Sequence, residues 1–243
     1  MMKDKLYKHK LIRIGSAYDG GYFVCPNSIL NACNLISLGI ETNWEFEKDF
    51  QKSNPKTFII CYDGQTNFKL VLRFFFTQII KTLFLQFNFS LLRRSIYNLF
   101  EYPGLLKNKL NFKRKNIGLK NGLTFKEVIS KKEEVFLKID IEGSEYRILE
   151  DILEFKNRLV GLVIEFHDYD LNKEKVKRFV NNIGLVLVHI NINEMGGFSI
   201  ENSPLVLELS FSKKPIRSNM NEKKFKIPNS KKNNFISLDS VKL

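Results

Sequence analysis

Residues 135–143 read Val135-Phe-Leu-Lys-Ile-Asp-Ile-Glu-Gly143, an apolar run that carries three charges. The period of two in a β-strand places Lys138, Asp140 and Glu142 on one face and the aliphatic side chains on the other. Charges in a central strand are costly unless they have partners. The stretch therefore predicts either charged side chains that line a cleft or a buried ion-pair network around Lys138.

The next apolar run repeats this arrangement, because Glu165 and His167 share one face at its end. If the two strands are neighbours, both side chains meet Asp140 and Glu142 at one rim of the sheet. Carboxylate oxygens and an imidazole suit a general base or a divalent-metal site. The candidate catalytic residues are Asp140, Glu165 and His167, and the same three are the candidate metal ligands.

Short, near-continuous apolar runs alternate along the chain with segments of helical period. This alternation predicts βαβ units and an α/β fold with a mostly parallel sheet. The predicted strands are 35–38, 58–62, 135–141, 160–166, 185–192 and 205–211, and the predicted helices are 44–51, 124–131, 144–155 and 172–182. Tyr18-Asp-Gly-Gly21, between two further apolar runs, predicts an N-terminal hairpin.

A phenylalanine-rich insertion at about 66–110 breaks this rhythm. Eight of the 22 phenylalanines lie between residues 68 and 100. Polar residues interrupt the run, so it contains no continuous apolar stretch that is long enough for a transmembrane helix. We expect a helical pair that packs on the sheet or forms a lid, with docking on a membrane surface or a homodimer contact as alternatives.

The net charge of +13 is concentrated in two segments. Residues 92–120 hold eight basic and one acidic residue, and residues 212–243 hold nine basic and two acidic residues. A basic loop and a basic C-terminal extension, 212–243, explain the excess without a nucleic-acid partner. Three cysteines without a CxxC pair and a start without an apolar signal segment predict a cytoplasmic protein.

The ends of the first two predicted strands are candidate ligand sites, because an open parallel sheet binds ligands beyond its carboxyl ends. Gly39 follows the first strand and Asp63 follows the second. A GxGxxG phosphate fingerprint is absent, which argues against a dinucleotide and a dehydrogenase. Asp63 is either an acceptor for a ribose diol or a turn aspartate.

Residues 136–149, Phe136-Leu-Lys-Ile-Asp-Ile-Glu-Gly-Ser-Glu-Tyr-Arg-Ile-Leu149, resemble the signature of the FkbM family of S-adenosylmethionine-dependent methyltransferases. Residues 161–167 resemble that family's following strand. The segments 13–22 and 37–47 are similar to the branch that opens with a DGGY block. The resemblance covers about residues 11–211, the predicted methyltransferase domain.

This resemblance implies a Rossmann-like methyltransferase fold, with a seven-stranded mostly parallel sheet and a final antiparallel hairpin. It implies O-methylation with S-adenosylmethionine, of a sugar hydroxyl on a nucleotide-activated sugar or a surface polysaccharide. By position, Gly39 and Glu41 would contact the cofactor and Asp63 its ribose. Asp140 would lie near the methyl donor.

Transfer of a methyl group to a hydroxyl needs an in-line approach and a group that withdraws the proton. His167 is the first candidate base, because a neutral imidazole accepts a proton near pH 7. A divalent cation such as Mg²⁺ or Mn²⁺, held by Asp140, Glu165 and His167, is the alternative. A non-catalytic cofactor-binding or nucleic-acid-binding protein on the same fold is the rival from another functional class.

Overall fold

The computed structural model describes residues 9–16, 20–84, 88–104, 110–193 and 196–217. Its centre is a seven-stranded sheet in the order β5-β4-β3-β6-β7-β9-β8, in which β9 runs antiparallel to both of its neighbours. The other pairings are parallel. The strands are β3 Asn34–Leu38, β4 Phe58–Tyr62, β5 Phe112–Lys113, β6 Val135–Ile139, β7 Leu159–Phe166, β8 Val186–Ile192 and β9 Leu207–Ser212. The predicted α/β fold with a final antiparallel hairpin is confirmed.

A separate N-terminal hairpin pairs β1, Ile12–Gly15, with β2, Gly21–Val24. This confirms the hairpin predicted around Tyr18-Asp-Gly-Gly21, although residues 17–19 lie outside the described ranges. The helices are α1 Pro26–Leu30, α2 Glu45–Ser53, α3 Phe68–Leu83, α4 Phe89–Gly104, α5 Phe125–Ile129, α6 Leu149–Glu154 and α7 Tyr169–Asn182. None of the helices in the described ranges combines the length and apolar character needed to cross a membrane.

Several predicted elements have the wrong extent; α7 begins at Tyr169 and not at 172, and β9 begins at Leu207 and not at 205. Strand β6 ends at Ile139, two residues early, because Glu142 and Gly143 adopt positive φ angles of 52° and 88° that turn the chain out of the sheet. The helix predicted over 144–155 is broken into a 3₁₀ turn, Glu145–Arg147, and α6. The two-residue edge strand β5 is too short for any period to reveal it.

Strand β6 lies at the centre of the molecule, and all five of its residues are buried. Lys138 is one of them, and its ammonium donates to the carbonyl of Gly39 at 2.5 Å and lies 3.8 Å from Glu47 Oε1. The same Glu47 oxygen accepts from Ser37 Oγ at 2.5 Å. Burial lowers the pKa of Lys138, but the charges of Glu47 and then Asp140 outweigh it, so the pKa is raised and the ammonium stays charged. The buried network around Lys138 exists, and its ion-pair partner is Glu47.

The phenylalanine-rich insertion folds into two antiparallel helices, α3 and α4, as predicted. The rings of Phe68 and Tyr102 lie 5.8 Å apart where α3 begins and α4 ends. This base is fixed to the sheet, because Asn98 donates to the carbonyl of Thr42 at 2.7 Å and Glu101 accepts from Trp44 Nε1 at 3.0 Å. The seven phenylalanines of the run that are described are exposed or half-buried, and Phe87 lies outside the described residues.

The predicted boundary of the C-terminal extension at residue 212 falls on the last residue of β9. The chain continues along the N-terminal segment, where Lys10 N donates to the carbonyl of Ile216 at 2.9 Å. Residues 218–243, the rest of the basic extension, lie outside the described ranges. The domain limits 1–211 and 212–243 stay predictions.

We expect Lys138→Met to lower the free energy of unfolding by about 3–5 kcal/mol, because it leaves the buried Glu47 carboxylate without its cation. The double variant Lys138→Met/Glu47→Gln should recover much of this loss. Urea unfolding measures both effects, with Lys56→Met as an exposed control. Equal stability of the single and double variants would show that the loss does not come from a Glu47 carboxylate left without its cation.

Candidate functional site

The register of β6 and β7 places Asp140, Glu165 and His167 together. Ile139 pairs with Ile164 in parallel, so the residues that follow lie at the same edge of the sheet. One ligand atom from each of Asp140, Glu165 and His167 lies within 4.8 Å of the others. The convergence expected from the sequence therefore exists, and the catalytic and metal-binding roles of the three residues stay predictions.

His167 is surrounded by carboxylates. Its Nδ1 lies 3.1 Å from Glu145 Oε1, and its Nε2 lies 3.4 Å from Glu142 and 3.8 Å from Glu165. An ionised carboxylate only accepts hydrogen bonds, so Nδ1 carries a proton and donates to Glu145. Nε2 is thereby directed toward Glu165 and the rim.

Glu145 is the residue of this site that the sequence reasoning missed. Its Oε1 also accepts from the backbone N–H groups of Ile141 and Gly143, at 3.0 and 3.2 Å. The side chain is fully buried, and Oε2 is buried without a hydrogen-bond partner among the described residues. Glu145 thus holds both the turn after β6 and the ring of His167.

Two further polar groups complete the cluster, and both come from distant parts of the chain. The hydroxyl of Tyr22, on β2, lies 3.2 Å from Glu165 Oε2 and 3.3 Å from Asp140 Oδ2, and its single hydrogen is shared between these two acceptors. The side-chain amide of Asn193, after β8, donates to Glu165 Oε1 at 3.2 Å. These contacts fix the positions of two neighbouring carboxylates.

The carboxylates change the protonation of His167. Burial lowers its pKa, but the hydrogen bond and charge of Glu145, followed by the charges of Glu165 and Glu142, raise it to about 9. The imidazole is therefore protonated at pH 7. The sequence-based argument for His167 as base assumed a neutral ring at pH 7, and the structure contradicts that assumption because three acidic groups surround the ring.

Asp63, the candidate ribose ligand, is hydrogen-bonded to four backbone N–H groups. Oδ2 accepts from Ile40 and Glu41 at 3.0 and 2.8 Å, and Oδ1 accepts from Gln65 and Thr66 at 2.7 and 2.9 Å. Burial raises the pKa of Asp63, yet these four bonds lower it overall, so the group is ionised. A carboxylate offers about four acceptor positions, and all of them are used here.

This geometry favours the turn role of Asp63. The carboxylate joins the loop after β3 to the loop after β4, and a ribose diol would have to displace one of its bonds. Glu41, the other candidate carboxylate, lies in the same loop at a φ of 43° and is exposed. Thr66 Oγ1 fixes the loop further by donating to the Glu41 carbonyl at 2.7 Å.

Gly39 is required by the protein itself. A Cβ atom at this position would lie 1.6 Å from the carbonyl oxygen of Asp140, and the residue has a φ of 80°. The sequence reasoning expected this glycine to admit a ligand. In the structure, the close approach is between the backbones that follow β3 and β6.

A scan against protein-family models finds no match, and a search of curated proteins finds no significant one. Solved structures are similar at low identity. An rRNA methylase from Streptococcus thermophilus has 10% identity and a TM-score of 0.39 over 77% of this chain and 91% of that chain. A SAM-dependent methyltransferase from Aquifex aeolicus has 9% identity and a TM-score of 0.35, over 74% and 82%. An O-methyltransferase family protein from Burkholderia thailandensis has 12% identity and a TM-score of 0.39, over 79% and 53%.

The chain has the Rossmann-like methyltransferase fold. This conclusion rests on the strand order and on the antiparallel β9 between β7 and β8. The low-scoring similarities add no argument about chemistry. Membership of the FkbM family stays a prediction.

We expect the stability of the protein, measured with a chelator present, to fall as the pH rises from 6.5 toward about 9. Folding raises the pKa of His167, so its stabilisation is complete below the unfolded pKa and is lost as the pH passes the folded pKa. Glu145→Gln removes the largest cause of the increase and should flatten this decline. Urea unfolding at several pH values measures it, with His167→Gln as the variant that lacks the titrating group. An equally steep decline in His167→Gln would assign it to another group.

Proposed function

We propose that the chain is an S-adenosylmethionine-dependent methyltransferase that methylates a hydroxyl group of a sugar. The observation that supports this most is the cluster of Asp140, Glu165 and His167 at the carboxyl ends of β6 and β7. It lies beside the point where the strand order reverses, because β4 lies on one side of β3 and β6 lies on the other. Open α/β sheets bind their ligands in the crevice at such a point.

The polar groups of the loop after β3 suit the binding of a nucleoside. When bound, S-adenosylmethionine would supply an electrophilic methyl group on a sulfonium. Glu41 presents an exposed carboxylate to which a ribose diol can donate. Asp63 and Gly39 hold the loop in place, Asp63 by its four N–H bonds and Gly39 by its approach to Asp140. We therefore assign the ribose contact to Glu41 and the positioning of the loop to Asp63.

The three-residue cluster fits a divalent cation. Two carboxylates and one imidazole suit Mg²⁺ or Mn²⁺ and related ions. The contact between Glu145 and Nδ1 is the outer-shell bond that a metal-ligating histidine usually makes, and it directs Nε2 to the rim. A cation held by Asp140, Glu165 and His167 would lower the pKa of a bound hydroxyl and orient it.

The residues of the rim have separate tasks in this reaction. The acceptor hydroxyl attacks the methyl carbon in line, an O–C bond forms as the S–C bond breaks, and the hydroxyl proton must leave. Asp140 and Glu165 accept hydrogen bonds from the acceptor. That proton passes to Nε2 of His167 when the imidazole is neutral, and the contact with Glu145 disfavours the neutral form. Tyr22 and Asn193 hold the Asp140 and Glu165 carboxylates in position.

A sugar is the acceptor class that suits this rim. Asp140, Glu142 and Glu165 present carboxylate oxygens close together, and vicinal hydroxyl groups donate to such oxygens in pairs. Turnover with a nucleotide-linked sugar and with a polysaccharide distinguishes these two kinds of acceptor. The assay therefore compares both kinds of acceptor.

Glu41→Gln and Asp63→Asn should have different effects on cofactor binding and stability. Calorimetry should show about 10-fold weaker binding of S-adenosylmethionine or more in Glu41→Gln, because a charged hydrogen-bond acceptor contributes about 1.5–3 kcal/mol. The melting temperature of that variant should be unchanged. Asp63→Asn should lower the melting temperature without cofactor, since at most one oxygen remains for four N–H groups. Unchanged affinity in Glu41→Gln would contradict its ribose role.

His167→Ala should lower turnover by about 10²- to 10⁴-fold while S-adenosylmethionine still binds, because a group that moves the proton contributes about that much. Release of S-adenosylhomocysteine with sugar and nucleotide-sugar acceptors measures it, and His189→Ala is the matched control. Chelation that removes activity, with recovery on adding Mn²⁺ or Mg²⁺, would support the metal. Wild-type turnover in His167→Ala, Asp140→Asn and Glu165→Gln would contradict the proposed site. Failure of the wild-type protein to bind S-adenosylmethionine would overturn the function itself.

A further inference from the structure

The exposed apolar residues of this protein are concentrated on one element, the hairpin of α3 and α4. Nine of the fifteen exposed large apolar side chains in the described ranges belong to it. They are Phe68, Phe76, Ile80, Leu83, Phe84, Phe89, Ile96, Tyr97 and Phe100. A patch of this kind is unusual on a monomer and indicates an interaction surface.

Four of these residues are more than 70% exposed; Phe100, at 79%, lies toward the end of α4, and the other three lie where the two helices meet. Leu83, Phe84 and Phe89 are 75%, 72% and 71% exposed, at the end of α3 and the start of α4. We call Ile80, Leu83, Phe84 and Phe89 the hairpin tip. The opposite end of the hairpin is its base, which Asn98 and Glu101 fix to the sheet. The tip is therefore the part of the hairpin farthest from its attachment.

Basic side chains flank the tip. Residues 68–104 contain five basic residues and one acidic residue, Glu101, and Glu101 pairs with Lys48 of α2 at the base. On α3, Arg73 precedes Phe76 and Ile80 on one exposed helical stripe, with spacings of three and four residues. On α4, Arg93 lies one turn from Phe89. Lys81 is exposed in the last turn of α3.

The geometry points to an anionic phospholipid surface as the occupant of the hairpin tip. Interfacial helices insert aliphatic and aromatic side chains about 5–10 Å into the boundary of headgroups and acyl chains, with Lys and Arg near the headgroups. Ile80, Leu83, Phe84 and Phe89 supply the inserted groups. Arg73, Lys81 and Arg93 supply the charges that attract an anionic leaflet.

Charge disfavours two other occupants. A second copy of the chain would bring Arg73, Lys81 and Arg93 against the same residues of its partner. Residues 218–243 contain six lysines and two acidic residues, so this segment has the same sign of charge as the hairpin. A nucleic acid would satisfy the charges but not Ile80 and Leu83, because bases stack on aromatic rings and not on aliphatic side chains.

The position of the base adds a consequence for the site. Asn98 donates to the carbonyl of Thr42, and Thr42 lies in the loop after β3 that carries Glu41. The hairpin therefore projects from the side of the molecule that carries this loop. A membrane bound at the tip would lie on that same side. This inference does not depend on the identity of the methyl acceptor.

Sedimentation with vesicles of phosphatidylcholine containing about one third phosphatidylglycerol tests the inference on the full chain. The wild-type protein should bind these vesicles, bind pure phosphatidylcholine far less, and lose binding as salt is added. Ile80→Ser/Leu83→Ser/Phe84→Ser should need at least about 10-fold more lipid for half-binding. Arg73→Gln/Arg93→Gln should weaken binding about fivefold per residue at low salt.

Matched controls change the same residue types elsewhere on the surface. Leu171→Ser/Ile200→Ser removes two exposed aliphatic side chains, and Lys56→Gln/Lys131→Gln removes two exposed charges. Both should bind vesicles as the wild type does. Circular dichroism and the melting temperature show that every variant is folded, and S-adenosylmethionine binding, measured separately, reports on the proposed function.

Insertion of the hairpin tip into the bilayer can be measured separately from vesicle binding. Trp44 is buried, so Phe84→Trp adds a reporter at the tip whose emission should shift to the blue on anionic vesicles. Absence of vesicle binding, equal binding by the tip variant, or binding without a blue shift would each overturn the inference. A dimer in light scattering that the tip variant abolishes, or binding of an oligonucleotide in preference to vesicles, would assign the tip to those partners instead.

Discussion

A buried ammonium group holds the centre of this protein together. Lys138, on the central strand β6, donates to the carbonyl of Gly39 and lies beside Glu47 of α2. It therefore connects the two strands between which the strand order reverses and the helix that covers one face of them. The segments that follow β3 and β6 approach each other closely here. Without the ammonium, this approach would leave the buried carbonyl of Gly39 without a hydrogen-bond partner. The contact between Gly39 and the Asp140 backbone, and so the position of Asp140, follows from that approach.

All strands except the two-residue β5, their mostly parallel arrangement and the convergence of Asp140 with Glu165 and His167 could be predicted from the sequence. These features depend on local period and on strand ends, and the period of two continues up to Ile139. Glu145 could not be found in this way, because its position in a predicted helix gives no sign that the helix breaks and turns the side chain inward. Tyr22 is more than a hundred residues from both carboxylates that it contacts, and no local pattern relates them. The four N–H partners of Asp63 depend on the shape of two loops, which residue types alone do not determine.

The site and the hairpin differ in which side chains are buried. At the rim, Glu145 and Glu165 are buried; Tyr22 and Asn193 donate to Glu165, and the backbone N–H of Ile141 donates to Glu145. On the hairpin, apolar groups remain in contact with water although a helix pair could turn them inward. The polar residues Gln78, Ser95 and Asn98 are buried instead. The inner side of the hairpin is thus partly polar, and apolar residues share its outer side with Arg73, Lys81 and Arg93.

The place of β9 in the sheet has a consequence for synthesis on the ribosome. β9 is the last strand of the sheet to be made, yet it lies between β7 and β8. Until residues 207–212 have left the ribosome, β7 has an open edge and β8 has no neighbour to pair with. An apolar strand with an open edge can pair with other chains. The nascent protein therefore carries its greatest risk of misassembly late in translation, when most of the rim residues have already been made.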